Sequence, residues 1–331
     1  MEETDDDITE LPTDDKYKTL CQKSNGCHDG SIWCCCFAGD RLITGSVDET
    51  VKIWSINDTY DLKEETALCG HDLGVVGIDV YDNLLATSSL DAYLRIWNLN
   101  TQQLVHQIPD TDHKPASTWM CAFSPDGKLV ATGGHGGCVD LYSVENKCKI
   151  ASLQSKHKFV LNIAPSPCGR FLACSTTTGS VLLFDMSTLQ ILKTFEDHAL
   201  PVRTLGFSPD SRLFATGSDD GLIKLYQNYY TGNSEESTVD ISTFTGHNGW
   251  VLTLHFSKDS QYLAAGSTEN CLRVWNLKDN SQVDDELDDL SAEDKRIHKN
   301  VHTSHIWDVK FDNNDNLLAS VGADETIALF K

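Results

Sequence analysis

Residues 88–97 read Ser-Ser-Leu-Asp-Ala-Tyr-Leu-Arg-Ile-Trp, and this stretch decides the fold. Its last four positions hold an aliphatic residue, a second aliphatic residue two places later and a closing aromatic residue. The same pattern recurs six more times along the chain. The seven closing residues are Trp54, Trp97, Tyr142, Phe184, Tyr226, Trp275 and Phe330. Successive closing residues lie 42–55 positions apart, so the 331 residues contain seven repeat units.

Each unit contains further signals in a fixed order. A histidine opens most units, as His71 opens the second and His305 the seventh. A short apolar run follows, and then a tight turn such as Ser-Pro-Asp-Gly at 124–127, whose proline and glycine suit a chain reversal. An acidic residue stands six positions before the closing aromatic residue, as Asp91 does. Short apolar runs between regular turns predict an all-β fold.

The order of Gly-His, Ser-x-Asp and a strand ending in Trp, repeated about every 40–45 residues, resembles the WD-repeat family. The resemblance covers residues 17–330 and implies a single seven-bladed β-propeller with one four-stranded blade per unit. It also implies that the recurrent His, Asp and Trp residues form structural hydrogen-bond networks. The residues given this structural role are His71, Asp91, Trp97, Asp48, Trp54, His198 and Asp220. Gly136 and Thr178 replace the acid in the third and fourth units, so we expect incomplete networks there.

The ends of the chain lead to three further expectations. The last unit stops after its third strand, so we predict that residues 17–21 pair as its outer strand and close the ring. Residues 1–15 are acidic and poor in apolar side chains, which predicts a disordered tail before a propeller domain at 16–331. A second acidic run predicts an exposed insertion at 284–303 between blades six and seven.

Composition argues against several functions. The chain has 26 Lys and Arg against 49 Asp and Glu, a net charge of -23 that repels phosphate, so neither direct nucleic-acid binding nor attachment to anionic membranes is expected. No signal peptide or long apolar stretch is visible, and the twelve cysteines form no CxxC pair, which favours an intracellular protein with reduced thiols. The glycine-rich run 133–137 lacks the lysine of a phosphate-binding loop. The acidic run 284–294 lacks the alternating ligands and the glycine of a calcium-binding loop. No cofactor, metal or catalytic residue is therefore assigned, because a catalytic site would occur once and these motifs repeat.

We expect partner-binding residues near the start of each innermost strand, four positions before its closing Phe. Aligned by unit, these residues are Trp33, Val76, Trp119, Leu161, Arg203, Leu252 and Trp307. The residues just before the turn acids should lie beside them, and those assigned to the site are Leu90, His135 and Asp219. Trp and Arg are common binding hot spots, and an Arg- and aromatic-bearing peptide would suit Trp rings and a carboxylate. The alternative is that the Trp rings pack between blades as core.

Several stretches more closely resemble the WD-repeat subunits of the superkiller complex. These are residues 70–76, 88–97, 197–203, 207–211 and 218–224. The resemblance implies a non-catalytic scaffold that joins a tetratricopeptide scaffold subunit to an RNA helicase and supports 3'-5' decay of mRNA by the cytoplasmic exosome. It also implies a place in the polymerase-associated factor complex, in transcription elongation and histone modification, hence in both cytoplasm and nucleus. Two alternatives remain, a propeller-type histone-tail reader in a chromatin complex and a propeller enzyme.

Overall fold

The computed structural model describes residues 19–23, 26–109, 118–157, 159–227, 239–277, 295–298, 301–314 and 316–331. They form seven four-stranded antiparallel sheets, and none of these residues lies in a helix. The prediction of an all-β, seven-bladed propeller is therefore confirmed. The acidic tail at 1–15 and the acidic run 284–294 lie outside the described residues.

The first three blades each consist of four consecutive strands. Blade 1 contains β2 (Ile32–Ala38), β3 (Arg41–Ser46), β4 (Val51–Ile56) and β5 (Leu62–Leu68). Blade 2 contains β6 (Val75–Tyr81), β7 (Leu84–Ser89), β8 (Tyr93–Asn98) and β9 (Gln103–Pro109). Blade 3 contains β10 (Met120–Phe123), β11 (Leu129–Gly133), β12 (Cys138–Ser143) and β13 (Cys148–Gln154).

Blades 4 to 6 have the same order. Blade 4 contains β14 (Val160–Pro165), β15 (Phe171–Thr176), β16 (Val181–Asp185) and β17 (Gln190–Phe195). Blade 5 contains β18 (Val202–Phe207), β19 (Leu213–Ser218), β20 (Ile223–Gln227) and β21 (Val239–Phe244). Blade 6 contains β22 (Val251–Phe256), β23 (Tyr262–Ser267), β24 (Leu272–Asn276) and β25 (Lys295–His298).

Blade 7 joins the two ends of the described chain. Its inner strands are β26 (Ile306–Phe311), β27 (Leu318–Gly322) and β28 (Ile327–Phe330), and its outer strand is β1 (Thr19–Lys23). β1 pairs antiparallel with β28, with Lys23 opposite Ile327. The predicted closure is thus confirmed for residues 19–21, whereas residues 17 and 18 lie outside the described residues. Pairing of β1 covers the edge that β28 would otherwise expose.

The hydrophobic core lies between neighbouring blades. Blade 1 places Ile32, Phe37 and Trp54 in one buried cluster with Val321 and Leu329 of blade 7. Equivalent clusters join each further pair of neighbours. Because the inner strands are covered on both faces, β15 and β27 are buried at every position rather than at alternate ones.

The expectation of an exposed loop over the whole of 284–303 is wrong in its second half. Lys295–His298 forms β25, the outer strand of blade 6, which pairs with β24. Val301 and His302 that follow are buried. The physical reason is that blade 6 needs a fourth strand to cover the edge of β24, and the chain after Trp275 has to supply it.

Candidate functional site: the rim of the central channel

The seven residues predicted at the start of the inner strands surround one cavity. It has a volume of 410 Å³ and lies on the axis of the ring, where the innermost strands of all seven blades converge. All seven predicted residues line it, namely Trp33, Val76, Trp119, Leu161, Arg203, Leu252 and Trp307. We call these seven residues the rim. Its three Trp residues are half-buried.

Backbone bulges place the rim residues. In six blades the pairing of the first two strands shifts by one residue at the rim position, as between Ile32 and Cys34, which leaves Trp33 unpaired. In blade 3, Trp119 directly precedes β10. A bulge inserts one unpaired residue and redirects its side chain. The sequence identified the rim by alignment but did not reveal the bulges that build it.

Arg203 carries the only charge on the rim, and the structure already neutralises it. Its Nε donates to Oδ1 of Asp219 at 2.6 Å and its Nη2 to Oδ2 at 2.9 Å. The guanidinium also lies 5.0 Å from the ring centre of Trp250, a residue that is 49% exposed. The predicted carboxylate is thus at the rim but is engaged by the protein's own arginine.

Two groups of aromatic side chains occupy other parts of the rim. Trp33 and Trp307 pack edge to face with ring centres 6.3 Å apart. Trp119 meets Phe159 in the same way at 5.7 Å, and His135 packs against the other side of Phe159 at 6.4 Å. Edge-to-face pairs hold the rings in fixed orientations. Phe159 and Trp250 were not predicted, because they precede the strands whose pattern was aligned.

The three residues predicted beside the rim have different environments. His135 is exposed and touches the rim through Phe159, whereas Asp219 touches it through Arg203. Leu90 is half-buried, and its backbone N–H donates to the carbonyl of Gly74 at 3.1 Å. None of the three lines the channel cavity itself.

Deeper in the channel, polar side chains connect blades. Asp308 accepts hydrogen bonds from the backbone N–H of Cys35 at 3.0 Å and from the hydroxyl of Thr253 at 2.8 Å, so it links blade 7 to both neighbours. It also pairs with Lys310 at 3.2 Å. Burial opposes the charge of Lys310, but Asp308 raises the pKa of this ammonium group above its ordinary value.

Asp79 is the other channel carboxylate. It accepts a hydrogen bond from the backbone N–H of Phe123 in blade 3 at 2.6 Å. Burial raises its pKa to about 6, and its backbone hydrogen bonds only partly offset this rise. Burial also lowers the pKa of His255 to about 3. The neutral ring of His255 accepts the backbone N–H of Phe311, which links blades 6 and 7.

The residues given a structural role do form networks. In blade 2, Nδ1 of His71 lies 3.0 Å from Asp91, and Nε2 lies 2.8 Å from the hydroxyl of Thr87. The indole N–H of Trp97 donates to the same hydroxyl at 3.0 Å. Burial opposes the charge of Asp91, but hydrogen bonds from His71 and Arg95 hold its pKa well below the ordinary value. The threonine that joins His to Trp was missed by the sequence analysis.

Other blades repeat this arrangement. Blade 1 uses His28, Asp48, Thr44 and Trp54 with distances of 2.8 to 2.9 Å. Blade 5 joins His198 to Asp220 and Thr216, both at 2.8 Å. Blade 7 joins His302 to Asp324 at 2.9 Å and to Ser320 at 2.7 Å, so His302 and not His305 is its network histidine. A satisfied buried network fixes the geometry of the turns that it joins.

The fourth blade departs from the pattern as the sequence indicated. Thr178 occupies the acid position, and its hydroxyl lies 2.9 Å from Nδ1 of His157. Because Thr178 is exposed and uncharged, this contact is weaker than the charge-assisted one in blade 2.

The described part of the chain offers neither a metal site nor a membrane-spanning helix. Within it, no group of three His, Cys, Asp or Glu side chains is placed to hold a metal ion. The same residues include no helix of the length and apolarity needed to cross a bilayer.

Comparison with known proteins identifies the class. Six segments match the family model for the WD domain, G-beta repeat: residues 19–55, 62–98, 104–143, 189–227, 239–276 and 295–331. These segments cover more than half of the chain, which therefore belongs to the WD-repeat family of β-propellers. Each segment joins the outer strand of one blade to the inner three of the next, as residues 19–55 run from β1 to β4. Blade 4, with Thr178, has its three inner strands outside the matched segments.

Individual relatives are similar in sequence to part of the chain. It is 38% identical over 218 residues to WD repeat-containing protein SL1-17 of Schistosoma mansoni, covering 63% of this chain and 70% of the relative. It is 29% identical over 201 residues to meiotic recombination protein rec14 of Schizosaccharomyces pombe, covering 60% and 66%. It is 28% identical over 192 residues to THO complex subunit 3 of Arabidopsis thaliana, covering 57% and 59%. The matches to the last two thus span less than two thirds of those proteins.

Proposed function

We propose that this protein is a non-catalytic scaffold that captures other proteins at the rim. The observation that carries the proposal is the convergence of seven predicted positions, three of them Trp, around one 410 Å³ cavity. Half-buried Trp side chains on a rigid frame lose little conformational entropy on binding, and they offer large apolar contact areas. The recurrent His–Asp pairs hold the frame and do not form a single reactive centre.

The resemblance to superkiller WD-repeat subunits makes a particular assembly the first candidate. In this proposal the rim holds a tetratricopeptide scaffold subunit next to an RNA helicase, and the complex supports 3'-5' decay of mRNA by the exosome in the cytoplasm. A second pool acts in the nucleus within the polymerase-associated factor complex. The names of two relatives, a THO complex subunit and a meiotic recombination protein, support a place in RNA or chromatin assemblies.

Affinity purification from cell extract with mass spectrometry tests the proposal. The wild-type chain should recover a tetratricopeptide subunit and an RNA helicase, and Trp119→Ala and Trp307→Ala should each reduce that recovery at least tenfold. Leu104→Ala is the matched control, because Leu104 is 43% exposed on the outer strand β9, away from the rim. Unchanged recovery by both rim variants would show that the rim is not the capture site.

The histone-tail alternative predicts a different result. A reader would cage an Arg or Lys side chain between aromatic rings and a free carboxylate. Asp219 does not offer one, because Arg203 engages both of its oxygens. Histone-tail peptides should therefore bind at least tenfold more weakly than the tetratricopeptide subunit, and the reverse order would favour the reader.

A further inference from the structure

A second cavity lies between blades 3 and 4, and its origin is visible in the repeat. Five of the seven innermost strands have a phenylalanine as their last or second-last residue, at Phe37, Phe123, Phe207, Phe256 and Phe311, whereas blade 2 has Val80 at this position. These rings pack towards the preceding blade. Phe123 of blade 3, for example, lies 6.1 Å from the ring centre of Tyr81 in blade 2. Phe256 of blade 6 likewise shares a buried cluster with Ile223 of blade 5.

Blade 4 has Pro165 where these blades have phenylalanine. The register is the same, because Pro165 pairs with Leu172 as Phe123 pairs with Val130. Pro165 provides no aromatic ring to fill the seam towards blade 3. A cavity of 490 Å³ is found at that seam, lined by Leu129 of blade 3 and by Pro165 and Leu172 of blade 4.

The cavity is apolar inside and open to solvent at one end. Leu141 and Phe171 line its interior, and Met186 is a half-buried lining residue. Pro125 and Pro167, in the turns that follow β10 and β14, are exposed at the mouth. The mouth is at the end of β14 opposite to Leu161, so it is separate from the rim.

We propose that this cavity binds an aromatic side chain of a partner polypeptide, which takes the place of the phenylalanine that blade 4 lacks. The chemistry follows from five of the other six seams, where the molecule fills the same position with a phenyl ring. Among the described residues that line the cavity Asp126 is the only charged one, its carboxylate lies 3.4 Å from the exposed ammonium group of Lys128, and the chain as a whole carries a net charge of -23. Charge complementarity therefore favours an aromatic residue that is flanked by basic residues.

The methionines provide a direct test. The chain has three, of which Met186 lines this cavity and Met120 lines the central channel. With methyl-labelled methionine, N-acetyl-Phe-Lys amide should shift the Met186 resonance saturably in NMR spectra, by the ring current of the bound phenyl group. The Met120 resonance should stay in place, and N-acetyl-Ala-Lys amide should shift neither signal.

Filling the cavity should abolish the effect. Pro165→Phe introduces the phenylalanine that five other blades have at this position. It should weaken the Met186 response at least tenfold, while the Met120 signal still reports a folded propeller. Leu129→Trp at the mouth serves as the second variant if the first fails to fold. No shift of Met186 at millimolar probe, or a full Met186 response in the filled variant, would each overturn the proposal. None of these outcomes depends on capture at the rim.

Discussion

Arg203 and Asp219 form a two-pronged ion pair at the rim, with Nε to Oδ1 at 2.6 Å and Nη2 to Oδ2 at 2.9 Å. They are 16 residues apart in the chain: Arg203 belongs to β18, the first strand of blade 5, and Asp219 to the turn that follows β19, the second strand. The Asp219 side chain is 6% exposed, whereas that of Arg203 is 28% exposed. The arginine therefore covers a carboxylate that would otherwise be buried without a cation, so the pair is part of the rim's framework.

The first prediction follows from this asymmetry. Arg203→Ala should lower the free energy of unfolding by roughly 1–3 kcal/mol, because it leaves the buried carboxylate unpaired. The double variant Arg203→Ala/Asp219→Ala should be more stable than the single variant, since it removes the unpaired charge as well. Urea unfolding of the four proteins in this cycle measures both effects. Equal losses in the single and double variants would contradict the role assigned to the arginine.

The second prediction concerns Asp79 and pH. Burial raises its pKa in the folded state to about 6, above the ordinary value of 3.8, so the folded protein binds the proton more tightly than the unfolded chain does. Its contribution to stability is then fully present below pH 4 and is lost as the pH rises through 6. As the pH falls from 7 to 4, the free energy of unfolding of the wild type should rise by roughly 1–3 kcal/mol relative to that of Asp79→Asn.

Chemical unfolding at these two pH values provides the measurement. The variant keeps an acceptor oxygen for the backbone N–H of Phe123 and serves as the reference, because every other titrating group is common to both proteins. A difference between the two proteins that does not change with pH would show that Asp79 has an ordinary pKa.

The third prediction compares two blades. Asp91→Ala should cost about 2–4 kcal/mol of stability, because it removes the partner of His71 and leaves the buried Arg95 without its counter-ion. Thr178→Ala removes the corresponding partner of His157 in blade 4, and it should cost under about 1 kcal/mol because that contact is exposed and neutral. Thermal unfolding of both variants measures the two losses of stability. A larger loss for Thr178→Ala than for Asp91→Ala would refute the assignment of the stronger network to blade 2.

Sequence analysis could predict the number of blades, the ring closure and the positions of the rim. These features follow from the spacing of strands and turns, which is local information. It predicted Arg203 at the rim and Asp219 beside the rim, but not that the two residues pair. Their contact depends on the bulge at Arg203, and nothing in the apolar pattern marks a one-residue shift of pairing.

Spacing along the chain could have identified His302, and not His305, as the network histidine of blade 7. The network histidine and its acid are 20 residues apart in blades 1 and 2 and 22 residues apart in blades 5 and 7. His305 is only 19 residues from Asp324, and it packs on Trp307 at the rim instead. The outer strand β25 was missed for another reason. It has four residues after a long acidic run, and only its pairing with β24 identifies it as a strand.

The fourth prediction tests ring closure. Deletion of residues 1–23 removes β1 and exposes the edge of β28, so it should lower the free energy of unfolding by at least ~2 kcal/mol and promote association through the open edge. Deletion of residues 1–15 stops short of the strand and should leave stability unchanged. Denaturant unfolding and light scattering compare the two truncated proteins. Equal stability of both would mean that β1 does not hold the ring closed.

The last prediction concerns the incomplete hydrogen-bond network of blade 6. The indole N–H of Trp275 is buried and has no hydrogen-bond partner among the described residues. In blade 2 the equivalent N–H of Trp97 donates to Thr87, but blade 6 has Ala265 at that position, opposite Arg273 as Thr87 is opposite Arg95. Ala265→Thr should therefore add about 1 kcal/mol to the free energy of unfolding by supplying the missing acceptor.

Ala264→Thr is the matched control for this substitution. Ala264 precedes Ala265, so its side chain points to the other face of β23, where it lies in the buried apolar cluster shared with blade 7. A hydroxyl there gains no indole partner and should destabilise the protein. Urea unfolding should move the two midpoints in opposite directions. A loss of stability in both variants would mean that blade 6 has no room for the threonine, and that its tryptophan has adapted to the alanine.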